Sequence, residues 1–260
     1  MIAVADLPLV WIFLTALKPD QEVVRYPPTL LPQSLTLQNF ANLFSISPFG
    51  TYLANSAAAA CGTTVATIAL SSCAGYALAR FRSPLLQLVG GLSLVSYMLP
   101  QILLVVPVAQ VITELHLTSN VAALVIVYTA TWLPFGLWML RSYFVGVAVD
   151  LEEAAMVDGC TRFGAFTRVV LPLAVPGLVA AGVFVFNESW SEYLFASVLL
   201  SDPSSLTLSP GLAGLMTQTG VYSWGLLMAG ALIMTLPSLA LFVIAQRQLV
   251  GGMAEGAVKA

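Results

Sequence analysis

Long apolar runs separated by short polar segments dominate the chain. A helix needs about 20 apolar residues to cross the hydrocarbon core of a bilayer. The pattern therefore predicts a single transmembrane domain over residues 1–260 with membrane-spanning helices, the first of them short. The predicted spans are residues 1–17, 52–79, 85–112, 121–140, 173–200 and 222–245.

The polar segments between these runs differ in character. Residues 18–50 and 201–221 are polar, and both contain proline, as expected for loops. Residues 145–172 are charged and follow a helical pattern, and residues 246–260 form a polar tail. The first run lacks a basic flank and carries Asp6, so we expect further residues upstream of Met1.

Composition supports an integral membrane protein. Hydrophobic residues make up 59% of the chain, charged residues 8%, and the mean hydropathy is +0.93. Soluble domains carry about 25% charged residues, so this chain is too apolar to fold in water as a single domain. The predicted fold class is an all-α integral membrane protein.

The few chemically reactive residues exclude several functions. Three cysteines and one histidine do not form a metal-binding pattern. Lys18 and Lys259 are the only lysines and neither follows glycine, so the chain has no phosphate-binding P-loop. We therefore expect no catalytic residue, no metal and no cofactor in this chain. If ATP drives the protein, a partner subunit must hydrolyse it.

The charged segment between the fourth and fifth runs reads as two short helices. Asp150 and Glu153 have the spacing of a capping box, which predicts a helix start at Asp150. Leu151, Ala154 and Ala155 fall on one side, where the alanines allow close approach of another surface. Gly159 is placed to end this helix in a left-handed turn.

A second short helix follows. Thr161 is a candidate N-cap, and Phe163, Phe166 and Val170 are expected to share one face. Pro172 is expected to end the helix, because proline lacks the amide hydrogen and clashes with the preceding turn.

Taken together, this segment resembles the loop motif of permease subunits in ABC importers, Glu-Ala-Ala-x-x-Asp-Gly-Ala-x5-Phe-x-x-Ile-x-Leu-Pro-x3-Pro. Cys160 replaces the motif's last alanine and Val169 its isoleucine. In that family the loop is the coupling helix, which docks into a cleft on a separate ATP-binding subunit. The resemblance therefore predicts coupling residues at Glu153, Ala154, Ala155, Asp158, Gly159, Phe166, Leu171 and Pro172.

Other stretches resemble the carbohydrate branch of this family, related to the maltose permease. Residues 256–260 read Gly-Ala-Val-Lys-Ala, close to the branch's Gly-Ala-Val-Lys-Gly ending. Residues 190–195 read Trp-Ser-Glu-Tyr-Leu-Phe, close to its Trp-Asn-Glu-Phe-Leu-Phe, and Asn55-Ser56 also fits.

The resemblance implies a type I importer transmembrane domain with six helices that works by alternating access. The partners that it implies are a second homologous permease, a dimer of ATP-binding subunits that carries ATP and magnesium, and an extracytoplasmic solute-binding protein.

The distribution of basic residues predicts the orientation. With the coupling loop inside, seven of the nine basic residues fall on the cytoplasmic side, and only Lys18 and Arg25 fall outside. The chain is thus predicted to lie in the cytoplasmic membrane of a bacterium or archaeon with both termini inside.

Polar residues within the runs are candidates for the translocation path, because charge inside a membrane is costly. Glu188 and Glu192 are four residues apart in the fifth run, so both are expected to point the same way. They either face a polar path or, for Glu192, lie at the outer interface. The further candidates are Asn187, Ser191 and Tyr193 beside them, and Tyr97 and Gln101 around Pro100.

Two alternatives remain at the level of sequence. Related permeases import glycerol 3-phosphate or its diesters, although the absence of lysine and arginine inside the predicted spans favours a neutral sugar. An ion-coupled secondary carrier would instead use Glu188 and Glu192 as proton sites, but such a carrier has no use for the coupling motif.

Overall fold

The computed structural model describes the backbone of residues 7–218 and 223–257, and side chains for residues 7–216 and 223–246. All regular elements in these ranges are helical, which confirms the all-α fold class. Asp6 and Lys259, both used in the sequence arguments, lie outside the described residues, as does the start of the predicted run 222–245.

Most helices follow one another with short connections, and the longest connection in the described ranges is residues 24–37. In chain order they are α1 (Leu7–Ala16), α2 (Asp20–Val23), α3 (Gln38–Ile46), α4 (Phe49–Arg80), α5 (Pro84–Tyr97), α6 (Gln101–Glu114), α7 (Val121–Gly146), α8 (Val149–Val157), α9 (Arg162–Ala165), a π-helical turn (Phe166–Val170), α10 (Leu171–Leu173), α11 (Val175–Trp190), α12 (Leu194–Leu199), α13 (Leu208–Gln218) and α14 (Trp224–Ala257).

Three helices of the described chain are long and apolar enough to cross a membrane: α4, α7 and the Trp224–Gln246 part of α14. Two bent pairs raise this number to five if each pair forms one span. The run 1–17 is described from Leu7 onward, where it forms the ten-residue helix α1.

The predicted run 85–112 is not one straight helix. It forms α5 and α6, which meet at an angle of 107°. Pro100 is the N-cap residue of α6 and has an extended backbone with ψ 125°. Proline cannot donate a helical hydrogen bond and disfavours helical geometry in the residue before it, so the chain turns here.

The long helices α4 and α7 form the centre of the bundle. The face of α4 that meets α7 carries small residues, including Thr67, Ser71 and Gly75, all of them buried. A Cβ atom on Gly75 would lie 3.1 Å from the Leu137 carbonyl oxygen and the Arg141 amide nitrogen of α7. Small residues thus allow the two backbones to approach closely, as the composition of this run predicts.

One core cluster attaches the charged segment to this bundle. Phe166 and Val170 from the π-helical turn pack with Tyr76 of α4 and with Leu140 and Phe144 of α7. The rings of Tyr76 and Phe166 are 4.5 Å apart. The segment from α8 to α10 is therefore packed against the end of the bundle where α4 and α7 finish.

Candidate functional site

Helix α8 begins earlier than its sequence indicates. Its N-cap is Ala148, which provides no side-chain hydrogen bond, so the predicted capping box of Asp150 and Glu153 is wrong. The helix includes Val149, which places Asp150 in the first turn rather than at the cap. There the carboxylate of Asp150 still interacts favourably with the helix dipole.

A buried acidic residue anchors α8 to α4. Glu152 accepts hydrogen bonds from the Tyr76 hydroxyl at 2.7 Å and from the Arg80 Nε at 2.6 Å. The side chains of Arg80 and Glu152 form an ion pair and are 9% and 6% exposed. Arg80 also donates to the Val147 carbonyl at 2.9 Å, so it holds the connection between α7 and α8 as well.

The opposite side of α8 is presented to solvent. Glu153, Ala154, Asp158 and Gly159 are exposed, and Ala155 is half-buried. These residues are five of the eight predicted coupling residues. Two adjacent glutamates thus have different environments. Glu152 faces inward and is paired, whereas Glu153 faces outward and is available to a partner.

The turn after α8 has the geometry that the sequence predicts. Gly159 has a φ of +92°, in the left-handed region. The Gly159 amide donates to the Met156 carbonyl, and the Cys160 amide donates to the Ala155 carbonyl. These two bonds form a Schellman motif. The Thr161 hydroxyl then accepts from the Gly164 amide at 3.1 Å, which confirms Thr161 as the next N-cap.

The helix after Thr161 is longer than predicted. It continues from α9 through the π-helical turn into α10, where Pro172 lies within the first turn of α10 and does not end it. The change in direction comes at Ala174, and the axis bends by 75° before α11.

The other predicted coupling residues lie in this second part. Phe166 is 5% exposed inside the core cluster and Leu171 is half-buried, so they hold the segment to the bundle. Pro172 is exposed. Phe163 lies on the same side as Phe166, as predicted, with the two ring centres 6.2 Å apart, but it is 71% exposed and stays outside the core cluster.

The predicted run 173–200 breaks near its end. Helix α11 ends at Trp190 and α12 begins at Leu194, so Glu188 and Glu192 do not share a helix, and the helical spacing on which their predicted common direction depends is absent. Glu192 lies in the break and caps α12. Its carboxylate accepts from the Phe195 amide at 2.7 Å, the Ala196 amide at 3.0 Å and the Tyr128 hydroxyl at 2.5 Å.

The remaining path candidates form two groups. Asn187, Ser191 and Tyr193 are exposed around the end of α11, where the Ser191 hydroxyl donates to the Asn187 carbonyl at 2.8 Å. Glu188 is half-buried on α11. Tyr97 and Gln101 lie apart from this group, on the wall of a cavity of 410 Å³ between α6 and α7.

That cavity is mostly apolar. Tyr97, Gln101 and Thr131 are among its few polar residues, beside side chains such as Leu104 and Phe195. It extends from the bend between α5 and α6 along α6 as far as Leu115. Among the residues that the structure describes, no group of three or more histidine, cysteine, aspartate or glutamate side chains is placed to hold a metal ion.

Comparison with known proteins identifies the family. The model for "Binding-protein-dependent transport system inner membrane component" matches residues 68–254, which include α8, the Schellman turn and the π-helical turn. The chain belongs to this family. It is a permease subunit of an ABC transporter, as the coupling motif indicates.

Curated relatives match along almost the whole chain. The inner membrane ABC transporter permease protein YcjP of Escherichia coli is 36% identical over 97% of this chain and 90% of its own length. The sulfoquinovosyl glycerol transport system permease protein SmoH of Agrobacterium fabrum is 36% identical over 97% and 88%. The trehalose transport system permease protein SugB of Mycobacterium tuberculosis is 34% identical over 100% and 94%.

Solved structures share the fold. A chain of a bacterial ABC transporter involved in the import of the acidic polysaccharide alginate superposes with a TM-score of 0.82 over 94% of this chain and 90% of that chain, at 20% identity. A second match is to the alginate transporter in complex with an alginate pentasaccharide-bound periplasmic protein, with a TM-score of 0.67 at 14% identity, over 92% of this chain and 85% of that chain.

Sequence reasoning missed Glu152. It precedes Glu153 directly, and the signal that could have found it is the helical period: Glu152 and Glu153 differ by about 100° around α8, so they cannot face the same surface. From sequence, its partner Arg80 is only a basic residue at the end of the run 52–79. The contact joins residues 72 positions apart in the chain.

Proposed function

We propose that this permease forms one half of the membrane channel of an ATP-driven importer of a sugar or sugar derivative. The exposed face of α8, with Glu153, Ala154 and Asp158, docks onto an ATP-binding partner subunit. A homologous second permease and an extracytoplasmic solute-binding protein complete the complex. Both termini lie in the cytoplasm, and ATP and magnesium bind only to the partner ATPase.

The observation that carries the proposal is the division of labour on α8. A coupling helix must be fixed firmly to the transmembrane helices on one side and exposed to the ATP-binding subunit on the other. The Glu152–Arg80 ion pair and the packing of Phe166 fix α8 to α4 and α7, while Glu153 remains exposed. Movement of the docked partner therefore displaces the ends of α4 and α7, and alternating access follows from that displacement.

The relatives support a carbohydrate substrate. The names of the matched proteins refer to sulfoquinovosyl glycerol, trehalose and diacetylchitobiose. In this chain, the cavity with Tyr97 and Gln101 combines hydrogen-bonding groups with an apolar wall and no charged residue. Such a surface suits the hydroxyl groups and CH faces of a neutral sugar better than glycerol 3-phosphate.

In an importer driven by ATP, the acidic residues of this chain need not carry protons. Three hydrogen bonds hold the Glu192 carboxylate in place as the cap of α12. This structural role removes one of the two proton sites that a secondary carrier would need.

A charge reversal at Glu153 tests the proposal. Glu153→Lys should leave the fold intact, since the side chain is exposed, but weaken docking of the ATP-binding subunit and reduce ATP-driven uptake. The measurement is co-purification of that subunit with the permease, together with uptake of labelled sugar in vesicles. Glu114→Lys, the same change at another exposed glutamate, on α6, should leave the co-purification unchanged. Normal docking and uptake by Glu153→Lys would refute the coupling role.

A further inference from the structure

A second cavity lies at the end of the bundle that carries α8. Its volume is 390 Å³, within the range of about 300–1,000 Å³ typical of small-molecule sites. It is formed where α4 ends, α5 begins and α7 passes both. The lining contains two arginines and no acidic residue: Leu78, Ala79, Phe81, Arg82, Gln87, Trp138 and Arg141.

The two arginines are not neutralised by the part of the chain that the structure describes. The ion pair found there uses Arg80, and neither Arg82 nor Arg141 has a carboxylate partner. Arg82 also borders the neighbouring cavity that contains Glu153, but no ion pair joins them. Two guanidinium groups beside one cavity form a strong site for an anion, and arginine binds phosphate through paired hydrogen bonds.

Trp138 fixes one side of this cavity. Its indole nitrogen donates to the Gly90 carbonyl and the Ser93 hydroxyl, both at 3.2 Å, which ties α7 to α5. The Arg141 guanidinium lies 5.1 Å from the centre of the Trp138 ring, within cation–π range. The cationic group is thus positioned before any ligand arrives.

An apolar stripe leads away from the cavity along α5. Leu85, Leu88 and Leu92 share one face at helical spacing and are 68%, 59% and 55% exposed. The stripe begins in the same first turns of α5 as Gln87, a lining residue of the cavity, although Gln87 itself lies on another side of the helix. A polar, cationic cavity at one end of an exposed apolar helix face matches the shape of a phospholipid, with its headgroup and its acyl chain.

We propose that this cavity binds the phosphate group of an anionic phospholipid of the cytoplasmic leaflet, with Arg82 and Arg141 on the phosphate and the acyl chain along α5. Basic pockets between helices on the cytoplasmic side are sites for anionic headgroups. Free phosphate shares the charge but gains nothing from the leucine stripe. The site goes beyond the transport function and requires only the orientation proposed above.

Native mass spectrometry of the purified importer complex tests this site. The probes are phosphatidylglycerol, phosphatidylcholine and inorganic phosphate, each titrated separately. The wild-type complex should retain phosphatidylglycerol, and Arg82→Gln combined with Arg141→Gln should weaken its binding roughly thirty-fold. Arg25→Gln removes one charge from the opposite, loop end of the chain and serves as the control with unchanged binding.

A conservative double variant separates binding from folding. Arg82→Lys with Arg141→Lys keeps both charges and should retain most of the phosphatidylglycerol, provided that the complex assembles. Equal lipid binding by the wild type and the glutamine variant would overturn the proposal. Displacement of the lipid by inorganic phosphate would also overturn it and assign the arginines to free phosphate. Loss of a protein subunit, rather than of lipid, from the glutamine variant would overturn it too and assign them to an acidic partner surface.

Discussion

Two glutamates, each bound to a tyrosine hydroxyl, stabilise two different breaks in this bundle. Glu152 pairs with Tyr76 and with the Arg80 cation where α8 meets α4. Glu192 pairs with Tyr128 and with two backbone amides where α11 gives way to α12. In one case a side-chain charge balances the carboxylate, and in the other the amides of a helix start do so.

This difference decides how much stability each region loses when its glutamate is replaced. A buried ion pair is costly to break because the partner that remains is an uncompensated charge. A carboxylate on backbone amides can be replaced by another acceptor at smaller cost, since amides carry only partial charges. We therefore expect the α8 connection to be rigid and intolerant of change, as a lever requires, and the α12 cap to be more permissive.

The largest expected effect is at the ion pair. Glu152→Ala should destabilise the permease by about 3–5 kcal/mol, because the Arg80 side chain remains largely buried without a carboxylate to balance its charge. Thermal unfolding of the detergent-purified complex measures this change. Glu153→Ala is the matched control on the neighbouring exposed position and should leave the melting temperature unchanged. Equal melting temperatures for the two variants would remove the distinction between the inward and outward glutamates.

A smaller effect is expected at the other carboxylate. Glu192→Ala leaves the amides of Phe195 and Ala196 and the Tyr128 hydroxyl without their acceptor, at a cost of about 1–3 kcal/mol. Glu192→Gln keeps one acceptor oxygen and should recover part of this loss. Unfolding of both variants gives the comparison, and a loss for Glu192→Ala as large as that for Glu152→Ala would contradict the ranking.

The left-handed turn after α8 should respond next. Gly159→Ala places a side chain at a φ of +92° and should cost about 1–2 kcal/mol. Gly146→Ala, in a helical position at the end of α7 with open space around its Cβ, is the control and should be neutral. Proteolysis within residues 157–162 reports local opening of the turn. Faster cleavage of the Gly146 variant instead would show that the strain argument is wrong.

The smallest effect concerns the cap that follows this turn. Thr161→Ala removes the acceptor for the Gly164 amide and should cost about 1 kcal/mol. Thr161→Ser keeps the hydroxyl and should behave like the wild type in the same unfolding measurement. A cost for Thr161→Ser equal to that for Thr161→Ala would show that the methyl group, and not the cap, stabilises the segment.

Features determined by local chemistry were predictable from sequence. The Gly159 turn, the Thr161 cap and the small-residue face of α4 follow from backbone geometry and side-chain size, and all three are confirmed. The six predicted runs locate the apolar segments, but not the bends at Pro100 and Ala174, because periodicity does not show where a helix changes direction.

Long-range contacts were not predictable in this way. Glu152 accepts a hydrogen bond from Arg80, 72 positions away in the chain, and Glu192 accepts one from Tyr128, 64 positions away. Local reasoning placed Glu192 on a continuous helix with Glu188, because both lie in an unbroken apolar run. Asn55 and Ser56 are a further case: their side chains bond the loop near Leu206 and Leu208, about 150 positions away, and fix the start of α13.

The most direct test of the account is a photo-cross-link from the exposed face of α8. A photoreactive phenylalanine analogue at Glu153 should cross-link to the ATP-binding subunit in intact membranes. The same analogue at Leu31, which is 71% exposed in the predicted extracytoplasmic loop, should not cross-link to that subunit. A cross-link from Leu31 to the ATP-binding subunit, or none from Glu153 in an assembled and active complex, would contradict the claim that α8 is the coupling helix.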